Sequence, residues 1–517
     1  MDINVKATTF PARRVLAGIL VAALVLRIVL VLSGGQLVFP DELRYVQTRA
    51  ALAALTAGDP RPLVWLFTTK VDHLFFKFVA LLPAAFELAT HPAPHVPALL
   101  FSLCSVVNIW LVWRLALRTG ASPREALLAA FFMALSNSMF YYGRHLLPYD
   151  LALSLGLWAL LAAVRERPPR RAVFWCGFLA GLAFLTYTGY WLLVGLACLI
   201  RVLAHPQNMR SRCTTALLCG LGLATPPLTV VLASKLVGAN LLAALTRFSS
   251  AVAQGDFREG WSFPAEYLWH AEHAVFVAWL AAVLYCALAF RRLGERRWIR
   301  VWLLSLLWLY GGLVLFSVGL HKFVVYGRIV RTMVPFFCLL TAFVVQDLLA
   351  RRRARLLVVT AALAGLVLQA GWNFRVPLTQ VFPREFVHRA QCQFPDLAVD
   401  ADALAFGPDQ VDASGDYRLI YAKHIWPEPV PLNLPPHDEL LAAAHPLQFP
   451  PYQYEGFGPA QRAHLRDMDI RMRLVRLRAD VSAGATQRAD ESFAGQPDAT
   501  LAPSNGPPQS AGRARGG

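Results

Sequence analysis

Two adjacent carboxylates follow the first long apolar run of the chain. Residues 15–34 are almost wholly apolar, and Asp41 and Glu42 come shortly after them. A charged carboxylate costs roughly 2.5–3.5 kcal/mol at the centre of a membrane helix, so a chain that keeps two acids near that depth is expected to use them. A carboxylate at the membrane surface can take a proton from a hydroxyl group as the hydroxyl attacks. Asp41 is therefore the candidate general base, and Glu42 is a second candidate catalytic group.

Cationic side chains elsewhere suggest what that hydroxyl would attack. Cations hold a phosphate and stabilise the negative charge that grows on it as it leaves. Arg328 and Arg331, with Lys322, form a candidate phosphate clamp, and Asp150 is a second catalytic carboxylate that would orient the acceptor, the sugar or a cation. This chemistry is group transfer from a phosphate-linked lipid. The other candidate substrate-binding residues are Arg44, Tyr45, Lys70, Arg144 and His145.

A metal site is a further hypothesis. Glu266, His270 and His273 stand at positions i, i+4 and i+7, which share one face of a helix. Histidine and carboxylate together suit zinc or manganese. The alternative is that the three side chains are solvated or hydrogen-bonded to a neighbouring element. No other cofactor is expected.

The composition indicates a multi-pass membrane protein. The 517 residues are 56% hydrophobic and 16% charged, whereas roughly a quarter of the residues in a soluble enzyme are charged. Apolar windows recur through the first three quarters of the chain. The net charge of +17 does not point to nucleic acid, because the arginines cluster between apolar windows, as in cytoplasmic loops beside anionic membrane lipid. The first window predicts a span rather than a cleaved signal peptide.

The distribution of basic residues predicts the orientation. Lys6, Arg13 and Arg14 precede the first span and place the N-terminus in the cytoplasm. About eleven spans, with residues 73–90 as a re-entrant or interfacial segment, keep the later arginine clusters cytoplasmic. Those clusters lie at 114–124, 165–171, 201–212, 291–300 and 351–355. The candidate site residues then lie on the outer face, with Asp72 and His73 beside them.

The predicted fold class is an all-α polytopic membrane protein with a small C-terminal α+β extracytoplasmic domain and a disordered tail. Residues 1–374 form the transmembrane module, 375–478 the outer domain and 479–517 the tail. The outer domain has strand-like runs at 417–422 and 472–477 and a polar helix near 459–468. Outer loop 35–95 carries interfacial helices. The first, over 43–57, is predicted to be an amphipathic helix that lies in the interface plane, with Leu43, Val46, Ala50 and Ala54 on one face.

Each functional interpretation has a plainer alternative that the sequence leaves open. Asp41 and Asp150 stand where an aspartate favours a helix N-cap. Arg144 and His145 can simply anchor a loop at the lipid headgroups. The arginines at 328 and 331 can bind headgroups without any part in catalysis.

Four motifs, in order along the chain, resemble a known family. They are PDELRY at 40–45, GRHLLPYD at 143–150, GFLAGLAFLT at 177–186 and YGRIVRTMVP at 326–335. They resemble the GT-C superfamily of membrane glycosyltransferases, most closely the branch of protein O-mannosyltransferases and lipid A aminoarabinose transferases, over about residues 10–350. Many relatives carry Lys-Pro-Pro in the first loop, where this chain has Lys70-Val71-Asp72-His73.

The resemblance implies an inverting glycosyltransferase of the inner or plasma membrane, with Asp41 as base and an active site facing away from the cytoplasm. The donor would be a polyprenyl-phosphate sugar and the acceptor a hydroxyl of a glycan, lipid or protein. The alternative is a polytopic transporter or lipid flippase, which would hold ionisable groups near the bilayer midplane and often has internal repeats. No convincing repeat is visible, and Arg27 is the one obvious charge within a span. A structural or assembly protein is a third hypothesis.

Overall fold

The computed structural model describes residues 12–37, 40–90, 93–166, 168–203, 208–254, 261–293, 296–320, 327–351 and 354–398, and the strand segments 411–414, 416–420, 439–444 and 472–476. These residues are mostly helical, with one small sheet near the C-terminal end, which confirms the predicted fold class. Lys322, the helix predicted near 459–468 and the predicted tail 479–517 lie outside the described residues.

The first ten helices range in length from 5 to 24 residues. They are α1 Ala12–Leu32, α2 Leu43–Thr56, α3 Arg61–Thr68, α4 Leu74–Ala89, α5 His95–Arg118, α6 Pro123–Leu135, α7 Asn137–Tyr141, α8 Tyr149–Ala163, α9 Arg170–Thr186 and α10 Trp191–Leu203. The remaining nine are α11 Met209–Leu236, α12 Leu241–Gln254, α13 Phe263–Glu272, α14 Ala274–Leu288, α15 Arg297–Val314, α16 Gly327–Val330, α17 Val334–Arg351, α18 Ala354–Thr379 and α19 Pro383–Gln393.

The described residues contain fewer full-length spans than the eleven predicted. Five helices are long and apolar enough to cross a membrane, and a sixth candidate is the pair α6 and α7, bent by 61° at Ser136. Three further apolar helices have only 10–17 residues. A hydropathy window does not register such breaks. The largely apolar stretch over 267–290, for example, divides at His273 into α13 and α14.

Helices α9 and α10 follow each other closely in the chain and pack together, and α9 also packs closely on α11. A side-chain carbon added at Gly177 would meet the backbone of Cys219, and one added at Gly222 would meet the backbone of Phe174. Gly181 approaches Leu223 in the same way. Small residues four apart let two membrane helices bring their backbones together. The glycine-spaced motif of α9 therefore has a packing role.

The loop after α1 folds into α2, α3 and α4, and the helix predicted over 43–57 is present as α2. Leu43 and Ala50 of its predicted apolar face are exposed, whereas Tyr45, Thr48 and Ala51 are buried. The hydroxyl of Tyr45 donates a hydrogen bond to Glu87 of α4 at 2.8 Å. This buried bond selects the face, and an apolar count cannot register it.

A four-stranded antiparallel sheet lies near the C-terminal end, in the order β1-β2-β4-β3. Its strands are β1 Val411–Ser414, β2 Tyr417–Ile420, β3 Glu439–Ala444 and β4 Met472–Arg476. The two strands predicted at 417–422 and 472–477 are confirmed and pair with each other. Phe386 and Val387 of α19 join Leu419 and Leu474 of the sheet in one buried cluster.

Candidate active site

Asp41 lies in a single helical turn, Pro40–Glu42, directly before α2, and three side chains converge on its carboxylate. Arg44 Nη1 donates to Oδ1 at 2.9 Å, and Arg328 Nη1 donates to Oδ2 at 2.8 Å. The hydroxyl of Tyr149 donates to Oδ2 at 2.7 Å and accepts from Arg328 at 2.7 Å. The side chain of Asp41 keeps 17% exposure and that of Arg328 keeps 15%, so both remain open to a ligand. Residues from 41–45, 143–150 and 326–335 thus meet as the sequence predicts. This set is called the Asp41 cluster below.

The cluster continues into the first outer loop through a second carboxylate. Arg44 Nε donates to Asp72 Oδ2 at 2.6 Å, and Lys77 Nζ lies 3.2 Å from Asp72 Oδ1. Lys77 is fully buried and also donates to the carbonyl of Lys70 at 2.7 Å. The sequence places Asp72 on the outer face without assigning it a role. Its only signal for Lys77 is a cation that interrupts an apolar run.

Aromatic rings form one wall of the Asp41 cluster. The ring of Tyr149 lies 4.8 Å from that of Tyr187, and Tyr187 lies 5.1 Å from Tyr190 and 5.4 Å from His73. His73 adopts the left-handed backbone conformation, with φ of +53°, which is uncommon for a residue other than glycine. Neither Tyr187 nor Tyr190 stood out in the sequence, because aromatic residues at span ends usually mark the membrane interface.

The charges around Asp41 keep it ionised. Burial would raise the pKa of Asp41, but Arg328 and Arg44 outweigh burial and hold that pKa well below its usual range. Burial and the nearby Arg44 lower the pKa of His73 to about 4, so His73 is neutral at physiological pH. The Asp41 cluster therefore combines an ionised acid with cations that a phosphate could attract.

Asp150 is the next residue after Tyr149, but it lies in a buried cluster of its own. Arg331 Nη2 donates to Asp150 Oδ1 at 2.6 Å, and Asn108 of α5 donates to the Asp150 carbonyl at 3.1 Å. The guanidinium of Arg331 also lies 4.7 Å from the ring centre of Tyr142. Arg27, the charge noted within the first span, is buried and donates to Ser105 at 3.0 Å. This set is called the Asp150 cluster below.

The structure places Glu42 and Tyr45 apart from the opening of the Asp41 cluster. Glu42 is fully buried and accepts from the backbone nitrogen of Leu146 at 2.7 Å. Its other oxygen lies 3.6 Å from Nδ1 of His145, whose pKa is lowered chiefly by burial. Glu42 therefore anchors loop 142–148 beside Tyr149. Tyr45 is occupied with Glu87 on the other side of α2.

Arg144 connects distant parts of the chain. Its guanidinium donates to the carbonyl of Gly34 at 3.3 Å and to that of Pro377, and it lies 5.2 Å from the ring centre of Phe382. Glu385 of α19 accepts from the backbone nitrogen of Gly35 at 3.1 Å. These contacts fasten the segment before Asp41 to the C-terminal elements. Lys70, another predicted binding residue, is exposed with its ammonium 5.2 Å from the ring centre of Trp65.

The predicted metal triad is not assembled. His273 has φ of +50° and separates α13 from α14, so it does not continue the helical face that carries Glu266 and His270. Glu266 accepts from the hydroxyl of Ser262 at 2.5 Å. Within the described ranges, no three His, Cys, Asp or Glu side chains are grouped closely enough to hold a metal ion. The acid that the sequence places between these histidines, Glu272, instead accepts from Asn137 N and Ser138 N and caps α7.

Fold and site together define a class. The protein is a multi-pass helical membrane protein with a partly exposed acid–arginine–tyrosine cluster, built by the loop after its first span and by the start of two later helices.

One family model matches a part of the chain. A family model described as dolichyl-phosphate-mannose-protein mannosyltransferase matches residues 94–233, from α5 into α11. The match confirms the predicted resemblance to the GT-C glycosyltransferases. It includes the motifs at 143–150 and 177–186, whereas Asp41 and Arg328 lie outside it. No curated protein gives a significant match.

Two solved structures from Archaeoglobus fulgidus are similar to the chain. One is the archaeal oligosaccharyltransferase AglB in complex with an inhibitory peptide and a dolichol-phosphate, at 12% identity and a TM-score of 0.43, covering 70% of this chain and 55% of that one. The other is the oligosaccharyltransferase tethered by a disulfide bond to an acceptor peptide containing the NVT sequon, at 13% identity and a TM-score of 0.43, covering 75% of this chain and 58% of that one. The chain thus spans little more than half the length of these proteins.

Proposed function

We propose that this protein is a membrane glycosyltransferase that transfers a sugar from a polyprenyl-phosphate donor to a hydroxyl acceptor. The family match supports the reaction class. The observation that carries the proposal is the Asp41 carboxylate, which is ionised, partly exposed and shared between Arg328, Arg44 and Tyr149. In the orientation predicted from the arginine clusters, this site faces the non-cytoplasmic side.

In the proposed reaction, Asp41 accepts the proton of the acceptor hydroxyl as its oxygen forms the new bond to the anomeric carbon. The bond from that carbon to the donor phosphate breaks, and its electron pair leaves on the phosphate oxygen. Arg328 stabilises the charge on the departing polyprenyl phosphate. One direct displacement inverts the anomeric centre. The acceptor is a hydroxyl of a glycan, lipid or protein.

The contact between Arg328 and Asp41 bears on how the base becomes competent. Arg328 lies 2.8 Å from the Asp41 carboxylate, and this contact lowers the pKa and hence the basicity of the carboxylate. A donor phosphate that attracts Arg328 takes one cation away from Asp41, and the pKa of Asp41 then rises. Donor binding would therefore activate the base at the moment the acceptor needs it.

The roles within the predicted phosphate clamp differ. Arg328 is exposed enough to meet the donor, whereas Arg331 is fully buried against Asp150. Arg331 and Arg328 stand three residues apart on the same turn, so the Asp150 cluster positions the turn that carries Arg328. We assign donor contact to Arg328 and a positioning role to Arg331.

Donor turnover by the purified full-length protein in lipid nanodiscs tests the proposal. The protein is incubated with synthetic polyprenyl-phosphate sugars and a panel of hydroxyl acceptors, and release of polyprenyl phosphate is measured. We expect release that depends on acceptor and is lost in Asp41→Asn. Release by Asp41→Asn at the rate of the unaltered protein would overturn the base assignment, and no transfer from any polyprenyl-linked sugar would overturn the donor class.

A lipid flippase is the second candidate function, and the Asp150 cluster is the observation that favours it. Arg27, Asp150 and Arg331 are ionisable side chains buried inside the helix bundle, where transporters keep their coupling groups. Fluorescent polyprenyl-phosphate lipids in proteoliposomes separate the two functions. Transbilayer movement without sugar transfer would favour the flippase.

A further inference from the structure

A cavity of about 610 Å³ lies at the end of the helix bundle away from Asp41. Its walls come from the end of α5 with the turn that follows it, the first half of α6, the beginning of α15 and the middle of α17. Asn108 of α5 contacts Asp150 halfway along that helix, and the cavity begins at Ala116, eight residues further on. At 1.5 Å per residue this is about 12 Å deeper. The cavity is therefore separate from the Asp41 cluster.

The floor of the cavity is apolar. Ala129 and Ala342 are completely buried, and Ile299 and Leu339 lie beside them. The rings of Trp298 and Trp302 lie 5.6 Å apart at 27°, almost parallel, and line the same space. This part of the wall can contact the beginning of a hydrocarbon chain, whereas the rest of the lining is polar.

The rim of the cavity is cationic. Arg118 at the end of α5 is exposed. Arg297 forms an exposed ion pair with Glu166 at 3.2 Å, and Arg296 lies 3.4 Å from Glu125. Three arginines against two glutamates leave one net positive charge among the lining residues. Exposed ion pairs contribute little, in general about 0–1 kcal/mol, so Arg297 can exchange Glu166 for another anion.

We propose that this cavity binds an anionic glycerophospholipid that carries one phosphodiester, with the phosphate at Arg118 and Arg297 and the first part of an acyl chain over Trp298 and Trp302. A cationic rim above an apolar floor matches the two halves of an amphiphile. A single net positive charge favours one phosphodiester over a polyphosphate. Basic pockets between membrane helices bind anionic headgroups, and the arginine clusters predict that this end faces the cytoplasmic leaflet. The site is independent of the proposed sugar transfer.

Thermal unfolding of the purified protein in detergent tests the proposal. Phosphatidylglycerol is expected to raise the midpoint saturably, and phosphatidylcholine is not. The double variant Arg118→Gln, Arg297→Gln should weaken the apparent affinity for phosphatidylglycerol at least tenfold. Arg171→Gln is the matched control, because Arg171 is an exposed arginine of α9 that does not line the cavity. Arg297→Gln alone replaces the double variant if that variant does not purify.

Free sn-glycerol 3-phosphate distinguishes a lipid from a soluble anion. Protection by this compound equal to that by phosphatidylglycerol would overturn the lipid assignment. Equal protection by both lipids, or the same loss in Arg171→Gln as in the variants of the rim, would overturn the site. Native mass spectrometry should show one retained phospholipid on the unaltered protein and a reduced share on the variants.

Discussion

Two acid–arginine pairs lie next to each other in this molecule and differ in exposure. Asp41 and Arg328 approach to 2.8 Å with 17% and 15% of their side chains exposed. Asp150 and Arg331 approach to 2.6 Å with 5% and 0% exposed. Tyr149 contacts both members of the first pair, and its neighbour Asp150 is the acid of the second pair. The two arginines, Arg328 and Arg331, stand three residues apart in the chain. The same local geometry thus serves two environments.

The comparison teaches that the partner set decides what an acid can do. Asp41 has several partners near an opening, so a ligand can replace one of them. Asp150 has a partner deep in the bundle, where an unpaired charge is costly. We therefore expect changes in the Asp41 cluster to affect turnover first, and changes in the Asp150 cluster to affect stability first. The following substitutions test this division, from the largest expected effect to the smallest.

Asp41→Asn should lower sugar transfer by about 10²–10⁴-fold, the usual contribution of a positioned proton acceptor. The amide has nearly the same shape, so the unfolding midpoint should change little. Asp59→Asn is the matched control, because Asp59 lies between α2 and α3 and pairs with exposed Arg61 at 2.8 Å, away from the Asp41 cluster. If Asp41→Asn lowered the amount of folded protein and left the activity per folded molecule unchanged, the expectation that the Asp41 cluster affects turnover first would be wrong.

Arg331→Gln should destabilise the protein by about 3–5 kcal/mol, because it leaves Asp150 buried without its cation. Denaturant unfolding in mixed micelles measures the change. The double variant Asp150→Asn, Arg331→Gln should be less destabilised than the sum of the single changes, since the two residues are coupled. Additive effects, or normal stability with lost activity in Arg331→Gln, would contradict a positioning role.

Arg328→Gln should reduce kcat/KM and change its pH dependence. The kcat/KM profile reports the free enzyme, in which Arg328 helps to hold the pKa of Asp41 low. Removing the arginine raises that pKa, so activity should begin to fall at a higher pH as the solution is acidified. The pH profile of each variant, measured with saturating acceptor, checks this shift. If the acid limb of the kcat/KM profile did not move in Arg328→Gln, the group that titrates there would not be Asp41.

His73→Gln should have the smallest effect, on stability at acid pH. The pKa of His73 is lowered from 6.5 to about 4, so below pH 6.5 the unfolded chain takes up a proton that the folded protein refuses. That contribution to stability is complete above pH 6.5 and is lost as the pH falls to about 4. In His73→Gln the unfolding midpoint should depend less on pH over this window. His95→Gln, at an exposed position, should leave that pH dependence unchanged.

The sequence predicted the parts that depend on local pattern. The membrane class, the helix after Asp41 and the strands at 417 and 472 follow from periodicity and composition, and they are confirmed. These successes share a short-range or periodic signal. The topology predicted only that Asp41 and Arg328 lie on the same side, and their contact across 287 positions of the chain is a finding of the structure.

Residues whose role depends on a distant partner were not predictable. The sequence near Glu42 does not predict that its carboxylate accepts a hydrogen bond from the backbone nitrogen of Leu146, 104 residues away. The burial of Lys77 against Asp72, and the break at His273 that separates the proposed metal ligands, also depend on tertiary packing. A helical spacing rule assumes a continuous helix, and that assumption failed at His273.

The bond between Gly35 and Glu385 bears on how the protein can be shortened. It joins residues 350 positions apart, and it fits only because Gly35 has φ of +88° and no side chain to collide with Phe382. Helix α19 therefore holds the segment that leads from α1 into the turn Pro40–Glu42. A shortened version cut after residue 374 would lose that contact, whereas one cut after Arg476 would keep both α19 and the sheet that buries Phe386 and Val387. Any effort to trim the protein for crystallisation or expression should choose the later position.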